Sequence, residues 1–173
     1  MNGKFIVVFI VVAAVLAGGG VYWLQLFAFY EDVALQSDGG EVTMRVTTPS
    51  DVRDLTALNF RGIDADSSPI RFRACFEAEI DPSQAVSYPK AAPLVAPGWF
   101  DCFDAVDIGS DIENGAAIAV LGEGNVHFGI DRVLAVYPDG RVFAWHQINE
   151  CGEVVFDGDP PPPGCPPVPE SLN

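Results

Sequence analysis

The sequence predicts an α+β fold: an N-terminal single transmembrane helix followed by a mainly antiparallel-sheet domain with one or two short helices and a Pro-rich C-terminal tail. Three observations predict it. Phe5 to Tyr30 contains no charged residue. Ile70, Phe72, Ala74, Phe76, Ala78 and Ile80 alternate with polar or charged neighbours, the period of a half-buried strand. Pro138-Asp139-Gly140, a turn sequence, separates two further apolar stretches. The 173 residues carry 9 Lys+Arg against 24 Asp+Glu, yet 49% are hydrophobic. Disordered acidic chains are poor in apolar residues, so that class is excluded. Nucleic-acid binding is excluded as well, because phosphate contacts need clustered Lys and Arg.

The apolar excess sits at the start, so residues 1–30 read as a transmembrane signal anchor. A helix rises 1.5 Å per residue, and roughly 20 apolar residues cross a bilayer core. Lys4 precedes the run and Glu31 and Asp32 follow it. The positive-inside bias then keeps the N-terminus cytoplasmic and exports the rest, so the expected location is a bacterial inner membrane with the bulk of the chain in the periplasm. Tyr22, Trp23, Phe27 and Tyr30 form an interfacial anchor at the exported end. Gly18, Gly19 and Gly20 offer a membrane-packing surface, since small residues let helices approach closely. The competing reading is a cleaved export signal with Phe5–Ala17 as its apolar region. It leaves about ten apolar residues at the new N-terminus, which the uncleaved anchor accounts for.

The exported part divides into a linker (31–40) ending Ser37-Asp38-Gly39-Gly40, a periplasmic domain (41–156) and a Pro-rich tail (157–173). Val42, Met44 and Val46 alternate as a strand would. The strand from Ile70 to Ile80 carries Arg71 and Arg73 at one end and Glu77 and Glu79 at the other, and Asp81-Pro82 breaks it. Prolines 89, 93 and 97 keep the next stretch irregular. Ser110-Asp111-Ile112-Glu113 matches a capping box, which predicts a short helix starting there. Ala116–Leu121 is a short apolar strand or helix end. Val126–Tyr137 and Arg141–Ile148 read as a hairpin around Pro138-Asp139-Gly140. The run from Asp157 through Pro169 favours extended polyproline geometry.

Four cysteines in an exported segment indicate disulfides. Three pairings are possible; Cys75–Cys102 with Cys151–Cys165 is favoured, because the second would staple the tail. Spacings of 27, 49 and 14, with no CxxC, fit no zinc or copper site, so no metal or other cofactor is expected.

Candidate chemistry is sparse. Nucleophile-elbow, phosphate-loop and dinucleotide patterns are missing, so no catalytic residue is assigned. His127 and His146 fall on the two arms of the expected hairpin near Asp131, and read as one hydrogen-bonded and one surface histidine rather than an acid–base pair. Asp64-Ala65-Asp66-Ser67 and the acids Asp101, Asp104 and Asp107 are oxygen-rich, but the first lacks the glycine and glutamate of an EF-hand loop and reads as a solvated turn. Arg71 and Arg73 share a strand face in a domain starved of positive charge. They form a possible anion or ion-pair site, the latter with acids near Asp101 and Asp104 if Cys75 bridges Cys102.

The segments Phe60–Phe76 (FRGIDADSSPIRFRACF), Ala96–Asp104 (APGWFDCFD) and Gly129-Ile-Asp-Arg-Val with Ala144–Cys151 (AWHQINEC) resemble an uncharacterised family of short, singly membrane-anchored alphaproteobacterial proteins. Similarity extends over nearly the whole chain. Such proteins are sometimes described as histidine kinases; the length and the lack of nucleotide-binding glycines exclude that here. The resemblance implies no activity and no site residues.

Residues 31–173 hold all 24 acids and 8 of the 9 bases, a net charge of −16. One span, one stapled domain and no catalytic set together suggest a non-enzymatic accessory or assembly subunit of an integral inner-membrane complex. The respiratory chain, and cytochrome c oxidase in particular, is the best match, with the acidic domain recruiting a basic c-type cytochrome by electrostatic steering. The lipid bilayer is the other partner. The alternative is a membrane-anchored ligand-binding or sensing module with Arg71 and Arg73 in its pocket.

Overall fold

The computed structural model describes residues 3–33 and 42–170. Most of the expected linker lies outside the described residues. The chain divides into two compact units, residues 1–31 and 32–173.

In the first unit, helix α1 (Gly3–Leu26) follows from a run of apolar side chains with no proline and, after Lys4, no charge. Its segment Gly3–Gln25 is 23 residues long and apolar enough to cross a membrane. At 1.5 Å per residue that is about 35 Å, more than a bilayer core needs.

The second unit is an open antiparallel sheet with two short helices. After the two-residue β1 (Glu31–Asp32), the Val33 N–H donates to Gly62 O at 2.9 Å. Strand β2 (Val42–Thr47) pairs with the first half of β3 (Val52–Asp64), from Val42↔Ala57 to Thr47↔Val52. A register shift between Leu58 and Arg61, with Asn59 at φ 51°, bends β3, so its second half pairs with β4 (Arg73–Glu77) instead. The long strand therefore turns a corner. It carries β2 over one face of the sheet, where Thr47 Oγ1 donates to Gly122 O at 2.9 Å. Beyond β4 the order is β7 (Arg141–Ile148), β6 (Ile130–Val136), β5 (Ile118–His127).

Alternation along these strands divides the apolar residues between two layers. On the β2 side, Phe72, Ala74, Phe76, Leu134, Val142 and Ala144 pack against Met44 and Val46. On the other face lie Cys75, Val133, Phe143 and Trp145, where Phe103 packs edge-on against Phe143 and Trp145. The irregular stretch 89–104 and helix α2 (Ala105–Asn114) belong to this second layer. Disulfide Cys75–Cys102 ties the stretch to β4, and the Tyr137 hydroxyl donates to Asp111 at 2.7 Å from β6's end. Helix α3 (Glu150–Phe156) follows β7 and is linked to the tail by Cys151–Cys165.

Several local expectations change. The strand expected over Ile70–Ile80 contracts to Arg73–Glu77, because Ser68 and Arg71 N–H groups donate to Ala65 O and Ser68 O and close turns just before it. Helix α2 begins at Ala105, not at Ser110: Asp104 accepts from the Val106 and Asp107 N–H groups and is the N-cap, which places Ser110 inside the helix. Gly115 at φ 81° ends it. The single strand expected over Val126–Tyr137 is split by a turn at Phe128-Gly129, so His127 ends β5 and the hairpin arm before Pro138 starts at Ile130. Ala116–Leu121 contains the start of the ten-residue β5.

Candidate functional site

Residues of β4 position the first candidate. Arg73 is 4% exposed. Its guanidinium donates to four carbonyls: Ile70 at 2.8 Å and Phe72 at 2.6 Å from Nη1, Leu94 at 2.7 Å from Nε, and Val95 at 3.4 Å from Nη2. It also lies 5.8 Å from the centroid of the Phe103 ring. A planar fork of donors suits carbonyls that an irregular segment cannot pair in a sheet ladder. Arg73 thus braces the 94–95 stretch, while Arg71 sits half-buried before the strand begins. The acid Asp101, expected near these arginines, is bound by Arg61 at 2.7 Å. That hydrogen bond and charge hold its carboxyl below the usual range.

The histidines lie towards the other face. His146 is 2% exposed, with Nδ1 2.8 Å from Pro69 O and Nε2 3.2 Å from Arg132 Nε. A carbonyl only accepts, so Nδ1 carries the proton and Nε2 accepts from Arg132. Phe72 stacks on the ring at 4.6 Å. Burial, reinforced by the Arg132 charge, pushes the imidazole down to about 3. His146 is therefore neutral at physiological pH with both nitrogens engaged, which describes a structural strut better than a general base. His127 is exposed, its ring 6.4 Å from that of His146. Arg132 continues to Glu123 at 3.6 Å and Glu123 to Arg45 at 2.7 Å, so one charge chain crosses β6, β5 and β2.

On the opposite face of β6, Asp131 is 8% exposed. Its Oδ1 accepts from the Asn125 N–H (2.9 Å) and Asn149 Nδ2 (2.7 Å), and its Oδ2 from the Tyr88 hydroxyl (3.2 Å). Asn149 in turn caps α3 through the Gly152 N–H at 3.1 Å. The same corner requires two glycines: at Gly129 (φ 73°) a Cβ would lie 2.5 Å from Gly152 Cα. Sequence reasoning assigned Asp131 no role of its own. The signal was present, since Asp131-Arg132 interrupts an otherwise apolar strand.

Several cavities flank the sheet, and two of them bear on these residues. One of about 680 Å³, lined by Ile80, Ile118, Tyr137 and the acids Glu79 and Asp81, opens at the Pro138 turn. The other, about 590 Å³, lies between the 86–92 segment and the start of α3, and Asp131 lines it. Asp64 ends β3 and Asp66 and Ser67 form the turn just after it, and among the described residues no three His, Cys, Asp or Glu side chains gather as a metal site would. In α1, Gly18, Gly19 and Gly20 leave open space where a Cβ would stand, and Tyr22 and Trp23 are exposed. Phe27 is exposed as well, and Tyr30 is half-buried.

These features define a protein with, among the described residues, one apolar, span-length helix and an α+β domain whose two disulfides suggest an oxidising compartment. Residues 42–166 match the model of a family of unknown function (DUF6446), and the chain belongs to that family. No curated protein and no solved structure matches it.

Proposed function

We propose that the chain is a single-pass, non-enzymatic accessory or assembly subunit of an inner-membrane complex, its sheet domain lying in the periplasm. The observation that supports this reading is how charge is distributed. Arg73 is spent on internal carbonyls, and Arg45, Arg61, Arg132 and Arg141 are engaged by Glu123, Asp101 and Asp139. Among the described acids, all but Asp64, Asp111, Glu123 and Asp131 are exposed. The domain therefore presents a surplus of carboxylates on a frame whose own cations are largely occupied. Such a surface raises encounter rates with basic proteins. A respiratory complex, cytochrome c oxidase above all, served by a basic c-type cytochrome, is the partner that best combines a membrane helix with that field.

The test is affinity purification of the tagged full chain in mild detergent. Recovery with the subunits of a respiratory complex supports the proposal, and recovery alone refutes it. Binding of a basic c-type cytochrome to the purified chain is expected to weaken steeply with salt, because exposed charges are screened within about 10 Å at 0.1 M.

A further inference from the structure

From the cavity floored by Asp131 we infer a binding site for a linear aliphatic diamine or polyamine. The cavity, about 590 Å³, falls in the size range of small-molecule sites. Its walls include Val86, Leu121 and Ile148, which suit a methylene chain and offer it no side-chain hydrogen bond. At the floor is the Asp131 carboxylate, more than nine-tenths buried. Three neutral donors hold it, and no ion pair among the described residues reaches it. Buried charges are ordinarily matched by an opposite charge. Oδ2 accepts only the one long bond from Tyr88 and keeps a lone pair.

At the mouth are the exposed carboxylates of Glu150 and Glu153, opposed by the single ammonium of Lys90. The charges of Asp131 and Glu153 both act on the Tyr88 hydroxyl and raise its pKa, though burial is the larger cause. One acid at the floor, acids at the rim and an apolar wall between them match two ammonium groups joined by a hydrocarbon chain. Anions are repelled. A bare Ca²⁺ would need six or more oxygens, and the one interior carboxylate already serves three donors.

The test is isothermal titration of the full chain in uncharged detergent at low salt with 1,4-diaminobutane and spermidine, and with glutarate as an anionic control. Both amines are expected to bind and glutarate not to. Asp131→Asn keeps the shape and can still accept from Asn125 and Asn149, and it is expected to weaken amine binding about tenfold, the value of one charge-assisted hydrogen bond. Glu153→Gln, at the exposed rim, is expected to weaken it about threefold. Lys90→Ala removes a competing cation and is expected to tighten it. Glu113→Gln, on the exposed surface of α2, is the control for general attraction to an acidic protein and is expected to change nothing. If Asp131→Asn fails to fold, the Glu153 and Lys90 variants decide. The inference is overturned if neither amine binds at about 10 mM, a binding energy near −3 kcal/mol. It is equally overturned if Glu113→Gln weakens binding as much as the cavity variants do.

Discussion

His146 makes the stability of the folded domain depend on pH. In the unfolded chain an imidazole titrates near 6.5; in the folded protein burial and Arg132 move it to about 3. Between those values the unfolded state binds a proton that the native state refuses. Stability is therefore full above about pH 6.5 and is lost as pH falls toward 3. The linkage relation gives a loss of about 2 kcal/mol at pH 5 and about 3 kcal/mol at pH 4 from this residue. His146→Gln removes the titration while retaining a donor for Pro69 O and an acceptor for Arg132. Denaturant unfolding of both proteins in detergent, followed by near-ultraviolet circular dichroism at pH 7.5, 6 and 5, measures the difference. The wild type is expected to lose about 2 kcal/mol more than the variant between pH 7.5 and 5. Parallel profiles would show that the native imidazole accepts its proton normally and would refute its sequestration.

Arg73→Met removes the side-chain donor of the Ile70, Leu94 and Val95 carbonyls, while Phe72 O keeps the His146 N–H at 3.4 Å, and is expected to cost about 3 kcal/mol by thermal unfolding. Replacing Cys151 and Cys165 together by Ser opens a loop of sequence separation 14, with an expected loss of about 3 kcal/mol on the chain-entropy account and faster proteolysis of the tail. Gly152→Ala drives a methyl group into the Gly129 carbonyl and is expected to destabilise by about 2 kcal/mol or more, measured by thermal unfolding.

Much of the architecture was legible in local pattern. Phe72, Ala74, Phe76 and Ala78 alternate into one core as their spacing says, and Pro138-Asp139-Gly140 closes the hairpin that sets Val136 opposite Val142. Strand β3 was not legible. Its bulge between Leu58 and Arg61 shifts the alternation in phase halfway along, so neither half shows a clean period of two. Helix α3 was hidden too: Asn149 is a good cap, but Gly152 one turn later argues against a helix, and only contact with Gly129 explains it. At the candidate sites, residue type was readable and partnership was not. Arg73 was visible as a rare cation, but its destination depended on where the 94–95 backbone passes.

By itself, the sequence determined the division of the chain into an uncharged helix-length run and a strongly acidic cysteine-bearing domain. Composition and periodicity are local properties, summed over neighbours in the chain. Tertiary structure decided which polar groups stay within reach of solvent. His146 meets Pro69 across 77 positions, Tyr88 meets Asp131 across 43, and Arg73 meets Leu94 across 21. Proton affinity, carbonyl satisfaction and the charge of a cavity floor depend on those encounters, because each is set by what lies within a few ångströms in space.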